Sequence, residues 1–449
     1  MMKNVRPSRR QFLKTASALV APAVIPGSCL GFGRPAPSER IHVGVVGHGS
    51  QGDYDMRRFL AEPDAQVVAV CDVHRLHYRD RNWGQGPPLG REPGCQTVNQ
   101  AYAANRTGGM FQGCAAYVDF RELCAREDIG AVVVATPDHW HALVALEALR
   151  HGKDVYGEKP VTHFFAEGQA LYREVARRKA VFQVGSQQRS DALFRKAVEL
   201  VRNGHLGRIL RVEVGLSRGY ATPQGDPTVT SPPEGLDYQR WCGPAPMLPY
   251  MRARHHRWWR GHRAFGGGVL MDWIGHHNDI AHWSLDLDHG GPLRVEAVGW
   301  TRPQTEIYNT PVEYEIRCEY PGAIDLVIST KAENGTKWIG ERGWLWVNRG
   351  KIKASDQRWL AKDFNPGPWK AYVSSGHARN FLDCVKSRRE CVAPAETGHR
   401  SITPGHLGYV SHALGRALRW DAAREEILGD AEAQSALMAT PYRQPWALG

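Results

Sequence analysis

Residues 41–52 constrain this chain more than any other stretch. Ile41-His42-Val43-Gly44-Val45-Val46 is mostly apolar and β-branched, the composition of a strand buried on both faces. It runs directly into Gly47-His48-Gly49-Ser50-Gln51-Gly52, and a helical stretch follows over 54–61. Val67–Val70 then reads as a second strand leading to Asp72, twenty residues after Gly52. A bare GxGxxG says little. Set between a strand and a helix, with an acid at that distance, it specifies a dinucleotide-binding βαβ unit.

Each of these residues has a physical reason to be there. Gly47 permits the tight turn, Gly49 lets the backbone approach a pyrophosphate, and Gly52 lets helix and strand pack closely. The helix N-terminus, with roughly half a positive charge, turns the amides around Ser50 and Gln51 toward the phosphates. Asp72 bonds ribose hydroxyls and repels a 2′-phosphate, which favours NAD. His74 and Arg75 follow at once and soften that preference, so NADP stays open.

The next unit is a strand over 131–135, then Thr136-Pro137-Asp138-His139-Trp140-His141, then a helix to His151 with Gly152 as its cap. A further strand over 154–156 ends at Gly157-Glu158-Lys159-Pro160. Loops at the carboxyl ends of strands line the ligand crevice of an open α/β sheet, so Lys159 belongs to that crevice.

The second half changes character. Stretches 209–217, 295–301, 312–319 and 323–330 have strand-like composition with partial alternation and few helices between them. Stretches 338–340 and 344–347 flank Glu341-Arg342-Gly343 as a hairpin, and helices return near 379–386 and 406–419. After Gly266-Gly267-Gly268 a helix opens in which Asp272 and His276 stand four residues apart, on one face. An aspartate beside an imidazole favours its protonated form and sets its tautomer, which suits a general base. His276, His277, Asp279 and His282 cluster near His255-His256, but no HExxH or Cys/His ligand pattern accompanies them, so no metal is expected.

Charge and the N-terminus speak to location. Of the net +11, six charges lie in residues 1–38, which carry no acid; the remaining +5 is too weak a bias to argue for nucleic acid. Ser8-Arg9-Arg10-Gln11-Phe12-Leu13-Lys14, followed by an apolar small-residue stretch and a Pro/Gly/Ser exit, reads as a twin-arginine export signal. Cys29 offers a lipidation position, weakened by Pro26 before it. No later run is long enough to span a membrane. The expected location is therefore periplasmic. Nine cysteines show no CxxC; a chain that folds before export has a core independent of disulfides, and Cys95 and Cys114 read as buried thiols able to pair afterwards.

At this point the sequence resembles the Gfo/Idh/MocA oxidoreductase family, and most of all its exported twin-arginine members common in planctomycete-type bacteria. The signal, GxGxxG, Asp72, Thr136-Pro137 with His141, Glu158-Lys159-Pro160, Gly185-Ser186-Gln187-Gln188-Arg189, and Asp272 with His276-His277 carry the resemblance. It implies a Rossmann domain followed by an α/β domain with a large, open, mostly antiparallel sheet, here a signal over 1–38, a nucleotide domain over 39–160 and a substrate domain over 161–449. It implies Gly47, Gly49, Ser50, Gln51, Gly52, Asp72, Thr136, Pro137, His141, Glu158, Lys159 and Gln187 as cofactor contacts. Lys159, Arg189, Asp272, His276 and His277 become substrate contacts, with Trp140, Tyr250 and Trp258 as further sugar-stacking candidates. By the same resemblance His276 takes the proton from a hydroxyl of a sugar, polyol or glycoside, Lys159 stabilises the alkoxide, and Asp272 orients the imidazole. This chain reads Asp-Trp-Ile-Gly-His-His where exported relatives place the glycine one residue earlier. Two other outcomes stay open: an NAD-dependent glycosidase using transient oxidation, and a non-catalytic sugar-binding protein. An exported enzyme would keep its cofactor bound, and the open sheet face suggests a homo-oligomer.

Overall fold

The computed structural model describes residues 35–36, 39–79, 84–104 and 109–448. Contacts divide the chain between Arg40 and Ile41, and the unit that begins at Ile41 holds both β-sheets. The twin-arginine motif and Cys29 lie outside the described residues.

Strands β1 (Ile41–Val46), β2 (Ala65–Cys71), β3 (Ala115–Tyr117), β4 (Ala131–Val134), β5 (Asp154–Gly157) and β6 (Phe182–Val184) form a parallel sheet in the order β3-β2-β1-β4-β5-β6. Helices α1 (Ser50–Leu60), α2 (Arg91–Ala103), α3 (Asp138–Arg150) and α4 (Phe165–Arg178) lie between the strands. The strand order reverses between β1 and β4, and a crevice opens at the carboxyl ends of such a pair. β4 and β5 are wholly buried, which is why their sequences show no alternation. The sheet runs past residue 160. Its last strand is only Phe182-Gln183-Val184, too short to carry a periodic signal, and it follows α4.

The second sheet has nine strands: β7 (Ile209–Gly215), β8 (Arg294–Trp300), β9 (Tyr314–Tyr320), β10 (Ile324–Ser329), β11 (Gly335–Gly340), β12 (Gly343–Asn348), β13 (Lys351–Ala354), β14 (Leu418–Asp421) and β15 (Glu426–Ile427). Their order is β13-β12-β11-β7-β10-β9-β8-β14-β15, antiparallel throughout except for β7 beside β10. Helices α5 (Gly268–Ser284) and α6 (His377–Ser387) precede α7 (Ala395–Leu414); α5 and α7 pack on each other and against this sheet. α7 starts well before the expected position because Pro404, which reads as a helix start, sits inside it. It also stops before Leu418, where β14 begins.

The outer face of this sheet is charged. Arg211 reaches Asp325 at 2.8 Å, Arg317 reaches Glu315 at 2.9 Å and Lys353 reaches Glu333 at 2.6 Å. Trp344 and Val298 are exposed on strands of the same sheet, so the surface is mixed.

Arg189 was expected to meet substrate. Instead it is 2 % exposed and bridges two acids: Nε and Nη2 donate to Asp279 at 2.7 and 2.9 Å, and Nη1 and Nη2 donate to Asp288 at 2.9 and 2.6 Å. All this lies behind α5, with the guanidinium 5.1 Å from the Trp283 ring. Burial pushes the Asp279 carboxyl up to about 6 even with Arg189 opposing it. Removing the cation strands that carboxylate, so R189A is expected to lose about 3–5 kcal/mol of stability in chemical denaturation. A substrate-binding role would instead leave stability unchanged and raise KM.

Candidate active site

The glycine loop is built as its sequence demands. Gly47 has φ +90°, and a side chain there would run into the Ala135 carbonyl. A Cβ on Gly52 would lie 1.9 Å from the Gly47 carbonyl oxygen, so this position sets helix against strand. A Cβ on Gly49 would meet nothing within 4 Å, which leaves open space at the start of α1. The cavity that begins there is lined by Gly47, Gly49, Ser50 and Gln51, then by Asp72 at one end and Lys159 at the other.

At the Asp72 end both carboxylate oxygens are oriented by backbone: Oδ2 accepts from His48 N and Oδ1 from His74 N, each at 2.8 Å. Each oxygen keeps lone pairs for a ribose hydroxyl. Four imidazoles crowd beside it. His77 and His256 stack with centroids 3.8 Å apart, His255 and His256 lie 3.7 Å apart, and His74 faces His256 at 5.4 Å. Burial drives His77, His255 and His256 well below their usual range, and His74 down to about 4, so all four are neutral at pH 7. Arg75 points toward Glu92 and lies outside the lining, while Arg79 is part of it. Among the described residues no group of three or more His, Cys, Asp or Glu could hold a metal ion.

The second half of the chain walls this end of the cavity. Arg75 N donates to Gly235 O at 2.9 Å, Asp237 N donates to Val73 O at 3.0 Å, and Leu236 bridges His74 as a β-partner. From the C-terminal tail, Trp446 enters the lining and packs edge-on against Trp140 at 4.7 Å.

At the other end the loops after β4 and β5 are tied together by His141. Its Nδ1 lies 2.7 Å from the Pro160 carbonyl and its Nε2 2.8 Å from the Thr136 carbonyl. The Lys159–Pro160 peptide is cis. Thr136 Oγ1 is buried in the lining with no hydrogen-bond partner among the described residues, an acceptor and donor available to a ligand. Glu158 lines the cavity too, with Oε1 accepting from Gln51 Nε2 at 3.1 Å and from Gln187 Nε2 at 2.8 Å. Gln187, expected as a cofactor contact, is outside the lining; it holds Glu158 instead.

Lys159 is where the two halves meet. Its Nζ donates to Asp272 Oδ1 at 2.8 Å and to the Asp272 carbonyl at 3.1 Å, which leaves one N–H facing the cavity side. Arg260 Nε sits 3.1 Å from the same Oδ1, and its guanidinium lies 4.2 Å over the Trp259 ring. Burial alone would raise the Asp272 carboxyl, but Arg260 and Lys159 outweigh it and hold it below the usual carboxylate range.

The expected Asp272–His276 relay does not form. Lysine and arginine take the carboxylate, since two full charges outcompete a neutral ring for a buried anion. His276 is 4 % exposed, lies outside the cavity lining, and its Nδ1 has no partner among the described residues. Burial, then Lys159 and Arg349, drives its proton affinity well below the usual range. His277 is also away from the cavity: its ring stacks on Trp273 at 5.8 Å, and its carbonyl accepts from Thr336 Oγ1. Tyr250 and Trp258 are outside the lining; Trp140 is in it.

Sequence reasoning missed Asp138 and Arg260. Asp138, the first residue of α3, is buried in the lining, and its Oδ2 accepts from Gly267 N at 3.3 Å. Burial, reinforced by Asp272, pushes its carboxyl up to about 7 against Arg260 and Lys159. Its place directly after Thr136-Pro137 was the available signal.

The Gfo/Idh/MocA "Oxidoreductase family, C-terminal alpha/beta domain" matches residues 191–448, more than half of the chain. The chain belongs to that family. The companion "Oxidoreductase family, NAD-binding Rossmann fold" matches 93–186, so the first half is an NAD-binding Rossmann domain. Among curated relatives, a glycosyl hydrolase family 109 protein of Saccharopolyspora erythraea is 31% identical over 172 residues, 34% of this chain and 33% of that protein. An inositol 2-dehydrogenase of Rubrobacter xylanophilus is 29% identical over 174 residues, 38% and 42% respectively. The match thus spans well under half the length of these relatives. Among solved structures, an aldose-aldose oxidoreductase from Caulobacter crescentus, complexed with glycerol, superposes with a TM-score of 0.60 at 17% identity, covering 85% of this chain and 99% of that one. The WlbA dehydrogenase from Bordetella pertussis, in complex with NADH and UDP-GlcNAcA, gives 0.56 at 19% identity, covering 85% and 99%. These likenesses establish the shared fold.

The glycines separate binding from folding. G49A should keep the melting temperature, because its Cβ enters empty space, yet weaken NAD binding in calorimetry. G52A should lose about 1–3 kcal/mol of stability or more, because its Cβ overlaps a carbonyl. Equal destabilisation by both would refute a cofactor seat at Gly49.

Proposed function

We propose that this protein is an NAD-dependent oxidoreductase that moves hydride between nicotinamide and a hydroxyl of a sugar, polyol or glycoside, with its cofactor retained between turnovers. The observation that carries the reading is the Lys159–Asp272–Arg260 cluster at one end of a cavity whose other end is the Asp72 ribose seat. The carbohydrate class is taken from the inositol dehydrogenase and glycosyl hydrolase relatives. NAD, when bound, supplies the hydride acceptor at C4 of its nicotinamide.

The chain's own residues divide the remaining work. Lys159, with one N–H uncommitted and Arg260 beside it, stabilises negative charge developing on the substrate oxygen. Asp272 keeps that ammonium in place. Asp138, on the same wall with a proton affinity near neutral pH, accepts the hydroxyl proton in place of His276, which stands outside the lining. K159A should cut kcat by about 10²–10³.

The pH profile tests the proton acceptor. Asp138 accepts a proton only when ionised, so kcat/KM for oxidation should rise through about pH 7 and level off above it. D138N should be slow and lose that rise. If H276A loses it while D138N keeps it, the imidazole is the base.

Retention agrees with the wall that residues 235–256 build across the Asp72 end, and with export through the twin-arginine motif to a periplasm poor in nucleotide. Mass spectrometry of nucleotide released from protein purified without added cofactor should find NAD(H). NADP(H) would overturn the Asp72 argument, and an empty protein would overturn retention. The glycosyl hydrolase relative favours one second reading, transient oxidation followed by elimination and rehydration. It predicts phenol release from an aryl glycoside with no net NADH.

A further inference from the structure

We propose that Cys95–Cys114 and Cys384–Cys391 are two dithiol sites built to close into disulfides in the folded protein. All eight described cysteines are free thiols. In each of these two pairs the thiols lie close enough to shift each other's proton affinity.

The two sites are constructed alike. Cys95 lies on α2, and Asn99 stands one turn further along the same helix. Asn99 Oδ1 accepts from Gly113 N at 3.2 Å and Cys114 N at 3.1 Å, which pins the second cysteine against the helix that carries the first. Cys384 lies near the end of α6, and Asn380 stands one turn before it. Asn380 Oδ1 accepts from Val392 N at 3.0 Å, beside Cys391. The chain reverses between them at Arg388, φ +57°, and Cys384 Sγ donates to the Glu390 carbonyl at 3.4 Å. An asparagine one helical turn from a cysteine, holding the strand that brings a second cysteine, thus occurs twice in parts of the sequence almost three hundred residues apart. Hydrophobic packing alone requires no such clamp.

The chemistry within each pair is asymmetric. The neighbouring thiol shifts Cys384 and Cys95 below the usual thiol range, while their partners are raised. In each pair one thiol attacks as the thiolate and its neighbour is the resolving thiol. Residues 386–390 between Cys384 and Cys391 are exposed, while the two thiols lie buried beneath that turn. The attacking thiolate displaces one thiol from an external disulfide such as oxidised glutathione, forming a mixed disulfide. The resolving thiol, losing its proton, attacks the protein sulfur of that bond and expels the second glutathione thiol. Each pair loses two protons and two electrons, and each oxidised glutathione becomes two thiols. The remaining Cys71, Cys124, Cys242 and Cys318 are buried, and burial raises their thiols. The inference is independent of the reaction proposed above, and export would supply the oxidising surroundings it needs.

The test uses the full chain, purified in reductant, desalted and incubated natively with oxidised glutathione. It is then quenched in acid, unfolded with alkylating agent and digested without reduction. The expected result is cross-linked peptides joining Cys95 to Cys114 and Cys384 to Cys391, an intact mass lower by four hydrogens, and alkylation at the other described cysteines. Each pair stands on its own cross-link. Alkylation of both partners, stable glutathione adducts that never resolve, or cross-links to other cysteines would overturn the proposal for that pair.

Discussion

A single part-buried carboxylate joins the two halves of this molecule at one end of its cavity. Asp272 comes from α5, and the two cations that neutralise it come from different places: Lys159 from the loop after β5, Arg260 from the segment before α5. A carboxylate taken out of water needs such partners, and a lone lysine in the same place would lose its proton or turn to solvent. With both cations present the acid stays ionised, and the contact ties the loop after β5 to α5.

The same cluster explains the imidazole next to it. One helical turn separates Asp272 from His276, which puts both on one face of α5. Proximity along a helix does not decide pairing when two full positive charges compete. With the carboxylate engaged, His276 is left among cations in a dry environment and stays neutral. Asp138, near the same cluster, is the complementary case: burial pushes its carboxyl up to about 7, and the Gly267 amide orients it.

The opposite end is arranged by stacking and not by charge. Neutral imidazoles from both domains meet beside Asp72, and backbone hydrogen bonds sew 235–237 to 73–75. Across the seam, Arg379 and Lys386 on Asp64 and Arg388 on Asp154 make the docking of α6 equally polar.

The nucleotide fold was legible because local rules suffice for it. A buried strand, three glycines at fixed offsets, a helix and an acid twenty residues on act through backbone geometry within one βαβ unit. Lys159 was legible as a crevice residue for a related reason: it sits in a loop at the carboxyl end of a strand, where the strand order places the crevice, and Asp272, outside the lining, holds it. Arg189, Gln187, His277, Asp138 and Arg260 were not legible in their actual roles, because each role is a choice of partner across many residues of chain. Arg189 found two buried acids, Gln187 found Glu158, and Arg260 found the carboxylate that spacing had assigned to His276. Periodicity and motif spacing record which face a side chain occupies. Which charge lies nearest, and how much water remains around it, depends on how the two sheets and their helices come together.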